Sequence, residues 1–158
     1  MDIARSIREA IPEIALTTDI IVGFPGETDA DFADTLSLVD EVGYDHAFTF
    51  VYSARRGTEA ARMPDQVSED VRRERIERLV ERVQHHAAAR NAALVGTVQE
   101  VLVEGPSRTD PATLRGRTRG GKALNFTGNA PAGSLADVTV TGSTSQTLSG
   151  RQAAPVAA

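Results

Sequence analysis

Apolar residues recur at helical spacing through Ile3, Ile7 and Ala10, and Pro12 prevents that helix from continuing. The run ALTTDIIV from Ala15 to Val22 is short, rich in β-branched residues and closed by GFPG, which predicts a strand buried on both faces. Thr28 and Asp31 form a capping-box variant ahead of Phe32, Leu36 and Val39 on one helical face, and Gly43 ends that segment. A second strand is predicted from His46 to Tyr52, with Phe48, Phe50 and Tyr52 on one side. Strand, helix and strand in this order predict a right-handed crossover between parallel strands.

The loop SARRGTEAARMPDQV follows, broken by Gly57 and Pro64. Ser68 predicts the cap of a long helix reaching about Leu94, with Val71, Ile76, Leu79, Val80, Val83 and Ala87 as an apolar stripe against Arg and Glu. Beyond Val95 the pattern changes to short strands separated by turn residues: TVQEVLVEG, LRGRTRG, KALNF, LADVTVTG and QTLSG. This spacing predicts a small antiparallel barrel. The tail RQAAPVAA lacks periodicity and is expected to be mobile. Two parallel strands and their helices cannot cover both faces of a sheet. The first 94 residues are therefore expected to belong to a larger parallel sheet, completed by sequence upstream or by a partner.

Composition narrows the chemistry. The chain has no cysteine, which excludes a disulfide framework, a thiol nucleophile, a cysteine-held iron–sulfur cluster and a cysteine-type zinc site. His46, His85 and His86 have no metal-like spacing. No apolar stretch approaches a bilayer span, so a cytoplasmic protein is expected. The net charge of -5 divides unevenly: residues 1–94 carry 11 basic and 18 acidic groups, whereas residues 95–158 carry 6 and 4. Among the basic residues only Lys122 is a lysine, a bias compatible with bidentate phosphate binding or with the base composition of the genome.

The long words IALTTDIIVGFPGETDADF, HAFTFVYSARRGTEAARMPDQV and NAALVGTVQEVLVEGPSRTDPATLRGRTRGGKALNF together resemble the carboxyl half of MiaB-type tRNA methylthiotransferases, which are radical S-adenosylmethionine enzymes. The resemblance covers residues 3–150 in order. It implies an α/β plus all-β chain: the carboxyl-terminal portion of a partial, TIM-like β/α barrel, then a small antiparallel TRAM β-barrel that binds tRNA. The corresponding divisions are residues 1–66 for the partial barrel, 67–94 for a connecting helix, 95–150 for the TRAM barrel and 151–158 for a disordered tail. In that family a methylthio group is added to isopentenyladenosine beside the anticodon. S-adenosylmethionine and two 4Fe-4S clusters take part in the full-length enzymes, one cluster held by a CxxxCxxC motif. This chain has neither that motif nor any cysteine, so alone it is expected to be catalytically silent and to work with a missing amino-terminal portion. The implied partner is the anticodon stem-loop of tRNA. The alternative is a stand-alone, non-catalytic RNA-binding TRAM module with a helical appendage.

The resemblance also implies site residues. Ile21, Gly23, Phe24, Pro25 and Gly26 correspond to a cofactor-facing rim, near where such enzymes carry a GxIxGxxE word. Here Asp19 and Gly26 stand at the ends of that word and Glu27 lies one place late, either at the cofactor or as an acid favouring the start of the next helix. SARRGT resembles the family's SPRPGT loop at the active-site mouth, with Arg55 and Arg56 as substrate-phosphate ligands or solvated surface. In the last unit Arg115, Arg117 and Arg119 alternate onto one strand face, with Lys122 beyond and Arg108 able to extend the patch. Phe126 is a base-stacking surface or a core residue. GRTRGGK, residues 116–122, imitates a P-loop by spacing, but Ala123 replaces the required hydroxyl residue and no helix pattern follows.

Overall fold

The computed structural model of the chain describes residues 2–108 and 110–154. It divides into a first unit ending at His86 and a second beginning at Ala87.

The first unit runs α1 (Asp2–Ala10), β1 (Thr17–Val22), α2 (Asp29–Val42), β2 (His46–Val51), a short 3-10 turn (Ala60–Arg62) and α3 (Glu69–Ala92), whose last residues belong to the second unit. β1 and β2 are parallel, in register from Thr17 opposite His46 to Val22 opposite Val51. α2 starts on a reciprocal cap. The Asp31 amide donates to Thr28 Oγ1 at 3.2 Å, and the Thr28 amide donates to the Asp31 carboxylate at 2.9 Å. The Thr28 hydroxyl, followed by its amide, holds the Asp31 carboxyl below its ordinary range. At the other end Gly43 adopts φ 55°, and Arg8 of α1 donates to the last carbonyls of α2, Val42 and Gly43.

Val22 and Ala47 of the sheet, Phe32, Leu36 and Val39 of α2, and Leu79 and Val83 of α3 form one core, with Ile20 and Ile76 at its margin. α3, which the sequence suggests is a connecting helix, thus contributes two core residues. The expectation that β1 is buried on both faces needs correction. Both helices pack on the Ile20 and Val22 side, and the opposite face leaves Ile21 55%, Phe48 57% and Phe50 49% exposed. The described residues form a two-stranded sheet here and do not close a TIM-like barrel.

The second unit contains β3 (Val98–Pro106), β4 (Leu114–Thr118), β5 (Ala123–Thr127), β6 (Leu135–Ser143) and β7 (Thr147–Gln152), closed in the order β3-β4-β5-β7-β6. The barrel is mixed rather than antiparallel, because β5 and β7 pair in parallel. Parity requires this. Directions that alternate around a ring of five strands must repeat once, and the other four pairings are all antiparallel. Inward residues Val101, Val103, Leu124, Phe126, Val138, Val140 and Leu148 fill the interior, with Leu94 packed against it. Phe126 is 1% exposed, so it is a core residue and offers no stacking face.

Of the tail expected at 151–158, Arg151 and Gln152 complete β7, and residues 155–158 lie outside the described residues. The P-loop imitation occupies β4 and the turn into β5, so a strand follows it. Among the described residues, no helix is long and apolar enough to cross a membrane.

Candidate functional site

β1 ends at Val22, and the chain turns through Gly23-Phe24-Pro25-Gly26 before the α2 cap. Gly23 adopts φ 73°, and a Cβ there would come within 2.3 Å of Arg72 Cγ, so both backbone sign and space require glycine. The Gly23 amide donates to both Glu27 carboxylate oxygens, at 3.0 and 3.1 Å. Arg75 Nη1 in turn donates to Glu27 Oε1 at 2.6 Å and to the Glu27 carbonyl at 3.1 Å, while Nη2 reaches Asp29 Oδ1 at 2.7 Å. The Arg75 side chain is 5% exposed and that of Glu27 12%. Burial alone would lower the Arg75 pKa, but hydrogen bonds and charge from Asp29 and Glu27 outweigh it and leave it raised. Glu27 therefore faces inward as the anchor of its own turn, with its carboxylate oxygens engaged by Gly23 and Arg75.

The rest of the rim divides by exposure. Gly23 and Pro25 are buried, whereas Ile21, Phe24 and Gly26 are exposed. The Phe24 ring meets Tyr52 edge-on at 5.2 Å, and Tyr52 N donates to the Val22 carbonyl at 2.8 Å. Arg72 Nη1 donates to the Tyr52 carbonyl at 3.2 Å, joining both strand ends to α3. This places an apolar lip, Ile21 and Phe24, at the carboxyl end of a parallel strand, the position where α/β sheets receive ligands. Arg55 and Arg56 lie beyond β2 in an exposed turn closed by Thr58, whose amide and hydroxyl both donate to the Arg55 carbonyl.

On the barrel, Arg115 and Arg117 project outward from β4 on either side of buried Gly116, and Arg119 follows in the turn. A Cβ on Gly116 would meet Val101 Cγ1 at 2.4 Å and the Leu102 carbonyl at 2.5 Å, so glycine allows β3 and β4 to approach. Each arginine meets a carboxylate across the strands. Glu104 Oε2 lies 3.4 Å from Arg115 Nε, Glu104 Oε1 lies 2.9 Å from Arg117 Nε, and Glu100 Oε1 lies 2.7 Å from Arg119 Nε. Arg117 Nη1 also donates to the Gly121 carbonyl at 3.2 Å. Arg108 is exposed in the β3–β4 loop, and Lys122 is half-buried just before β5.

Three contributors escape a reading of the sequence by motif: Arg75, Glu100 and Glu104. Arg75 occupies a four-residue ladder with Val71, Leu79, Val83 and Ala87, and an arginine in such a row signals a buried ionic partner. Glu100 and Glu104 are outward positions of an alternating strand whose inward residues are Val101 and Val103, a periodicity carried by the sequence itself.

Residues 92–152 match the family model of the TRAM domain. Across 153 residues, 96% of this chain, the sequence is 52% identical to a tRNA-2-methylthio-N(6)-dimethylallyladenosine synthase of Clostridium botulinum (strain Okra / Type B1), of which it covers 34%. A protein of the same name from Clostridium perfringens (strain SM101 / Type A) is 52% identical over 129 residues, covering 82% of this chain and 29% of that protein. The chain thus spans about a third of the length of the curated relatives it matches. The barrel lies inside the TRAM match and the first unit inside the longer alignment, so the chain is similar along nearly all of its length to a carboxyl-terminal, TRAM-bearing part of these MiaB-type proteins.

Proposed function

We propose that this chain provides the cofactor-side rim and the tRNA-binding barrel of an enzyme that adds a methylthio group to isopentenyladenosine beside the anticodon. The supporting observation is the continuous similarity of both units to one family of tRNA-modifying proteins. In this reading β1 and β2 are late strands of a radical S-adenosylmethionine barrel. Their exposed Ile21, Phe48 and Phe50 face is then the surface against which the remaining strands and the substrates assemble. Ile21 and Phe24 suit the apolar side of an adenine, and the exposed Gly26, with open space where a Cβ would stand, lets backbone come close to it, while Gly23 is closed off by Arg72 and shapes the turn. S-adenosylmethionine would supply the radical when cleaved, and the clusters that cleave it and take part in sulfur delivery would be held elsewhere, since this chain has no cysteine to ligate them. Its own residues position and bind. The Arg75–Glu27–Gly23 chain of contacts sets the rim, Arg55 and Arg56 offer charge beside it, and Arg115, Arg117 and Arg119, with Arg108 and Lys122, contact phosphate. The proposed setting is cytoplasmic, where tRNA is modified.

A free-standing RNA-binding module is the competing reading. It does not account for an apolar sheet face left open on β1 and β2, which favours the larger enzyme. Fluorescence anisotropy with a labelled anticodon stem-loop tests the binding role. The full chain binds, and replacing Arg115, Arg117 and Arg119 by alanine weakens binding and reduces the salt slope by about one for each phosphate left without its arginine. Equal affinity and slope in that variant contradict the assignment of this row. The same chain supplied with reductant and S-adenosylmethionine forms no methylthio product; product formation by it alone contradicts the division of labour.

A further inference from the structure

β3 pairs Val103 with Gly116 and Gly105 with Arg115, leaving Glu104 as the extra residue of a bulge. The bulge directs its carboxylate between two guanidiniums, one oxygen toward each Nε. Two steps along the same strand face, beyond exposed Leu102, Glu100 takes the Nε of Arg119. Three positive charges are thus accompanied by two negative ones, a net of +1 where the sequence pattern alone suggests +3.

We infer that Glu100 and Glu104 are specificity-setting residues: they compete with phosphate for the arginine row, so that only a continuous RNA backbone engaging several guanidiniums together binds well. The inference rests on the proposed tRNA-binding role of the barrel. Carboxylate and phosphodiester are both anionic acceptors that use the same guanidinium edge, so they exclude each other there. The carboxylates are accessible, with Glu104 40% and Glu100 34% exposed, so the ion pairs exchange readily and the barrel does not depend on them for its fold. Their charge nevertheless remains beside any bound phosphate. One isolated phosphate gains a single contact against this repulsion, whereas a backbone gains several.

The test is anisotropy of a labelled tRNA anticodon stem-loop with the full chain, Glu100→Gln, Glu104→Gln and the double variant. Glutamine preserves size and an acceptor for Nε while removing the charge. For a phosphate about 5 Å from each removed charge in water, binding at low salt tightens about fourfold per substitution. The double variant tightens by about tenfold or more, and the difference fades toward 1 M salt. Glu77→Gln, an exposed position on α3, leaves affinity unchanged and controls for total charge. If the wild-type chain binds but the glutamine variants bind equally or more weakly, the inference is overturned while the RNA-binding reading stands. Equal tightening by Glu77→Gln also overturns it. If no form of the chain binds at low salt, the RNA-binding reading fails and this inference with it. Thermal unfolding of each variant matches wild type within about 2 °C, a shift corresponding to a small surface effect.

Discussion

Replacing Arg75 by methionine retains an apolar stem of similar length and removes the charge that anchors the β1–α2 turn. The variant leaves Glu27, 12% exposed, with the Gly23 amide as its remaining partner in that network. Removing one member of a buried pair typically costs about 3–5 kcal/mol, because the other charge stays desolvated. The Asp29 contact adds little to this, since that side chain is 99% exposed and regains water. Residual solvent around Glu27 and the apolar gain from methionine lower the total, giving about 2–4 kcal/mol. The chain has two tyrosines, Tyr44 and Tyr52, both in the first unit, and no tryptophan. Tyrosine fluorescence during urea unfolding therefore reports on the first unit separately from the barrel. A double-mutant cycle with Glu27→Gln yields a coupling of about 1–3 kcal/mol, and the Gly23 amide exchanges faster in Arg75→Met. A destabilisation under about 0.5 kcal/mol with unchanged Gly23 exchange refutes the clamp, because surface substitutions produce effects of that size.

Other parts of the molecule answer to similar measurements. Phe126→Ala destabilises the barrel by about 3–5 kcal/mol in far-UV circular dichroism, whereas a small effect contradicts its place in the core. Gly116→Ala forces β3 and β4 apart and costs about 1–3 kcal/mol, with weakening of the Arg117–Glu104 ion pair visible in arginine Nε NMR signals. The hydrogen bond from His86, with charge from Arg82, holds the Asp40 carboxyl below its ordinary 3.8. A depressed acid stabilises the folded chain above its unfolded pKa and loses that contribution as pH falls through its folded value. Stability of the first unit therefore declines below about pH 4, and Asp40→Asn makes that decline shallower in tyrosine-detected unfolding. Ile21→Ser with Phe50→Ser changes first-unit stability by less than about 1 kcal/mol in tyrosine-detected unfolding, because both side chains lie on the uncovered face, and a larger loss contradicts that placement.

Local signals make much of this architecture legible. Thr28, Asp31 and Gly43 delimit α2 because a helix end must satisfy its backbone groups nearby, so the information is short-range. The parallel pairing of β1 and β2 follows from their helical crossover. Periodicity cannot reveal which face of β1 is covered: Ile20, Ile21 and Val22 are all apolar, and only the placement of α2 and α3 distinguishes them. A closed ring of five strands must contain a parallel pair, but that the pair is β5 and β7 is illegible for a different reason. Turn spacing locates strands but not the closure that places β7 between β5 and β6. Among the site residues, alternation puts Arg115 and Arg117 outward correctly, yet charge read along a single strand omits the cross-strand carboxylates. The GFPG turn stands out as a site, but Glu27 is separated from its partner Arg75 by 48 residues of chain.

The role of the arginine-bearing barrel face is tested most directly by hydrogen–deuterium exchange of the full chain with and without a tRNA anticodon stem-loop. Added RNA slows exchange in peptides spanning residues 100–122, the β3 and β4 face and the turn after it. Unchanged exchange across those peptides at saturating RNA, with protection appearing elsewhere in the chain, contradicts the account.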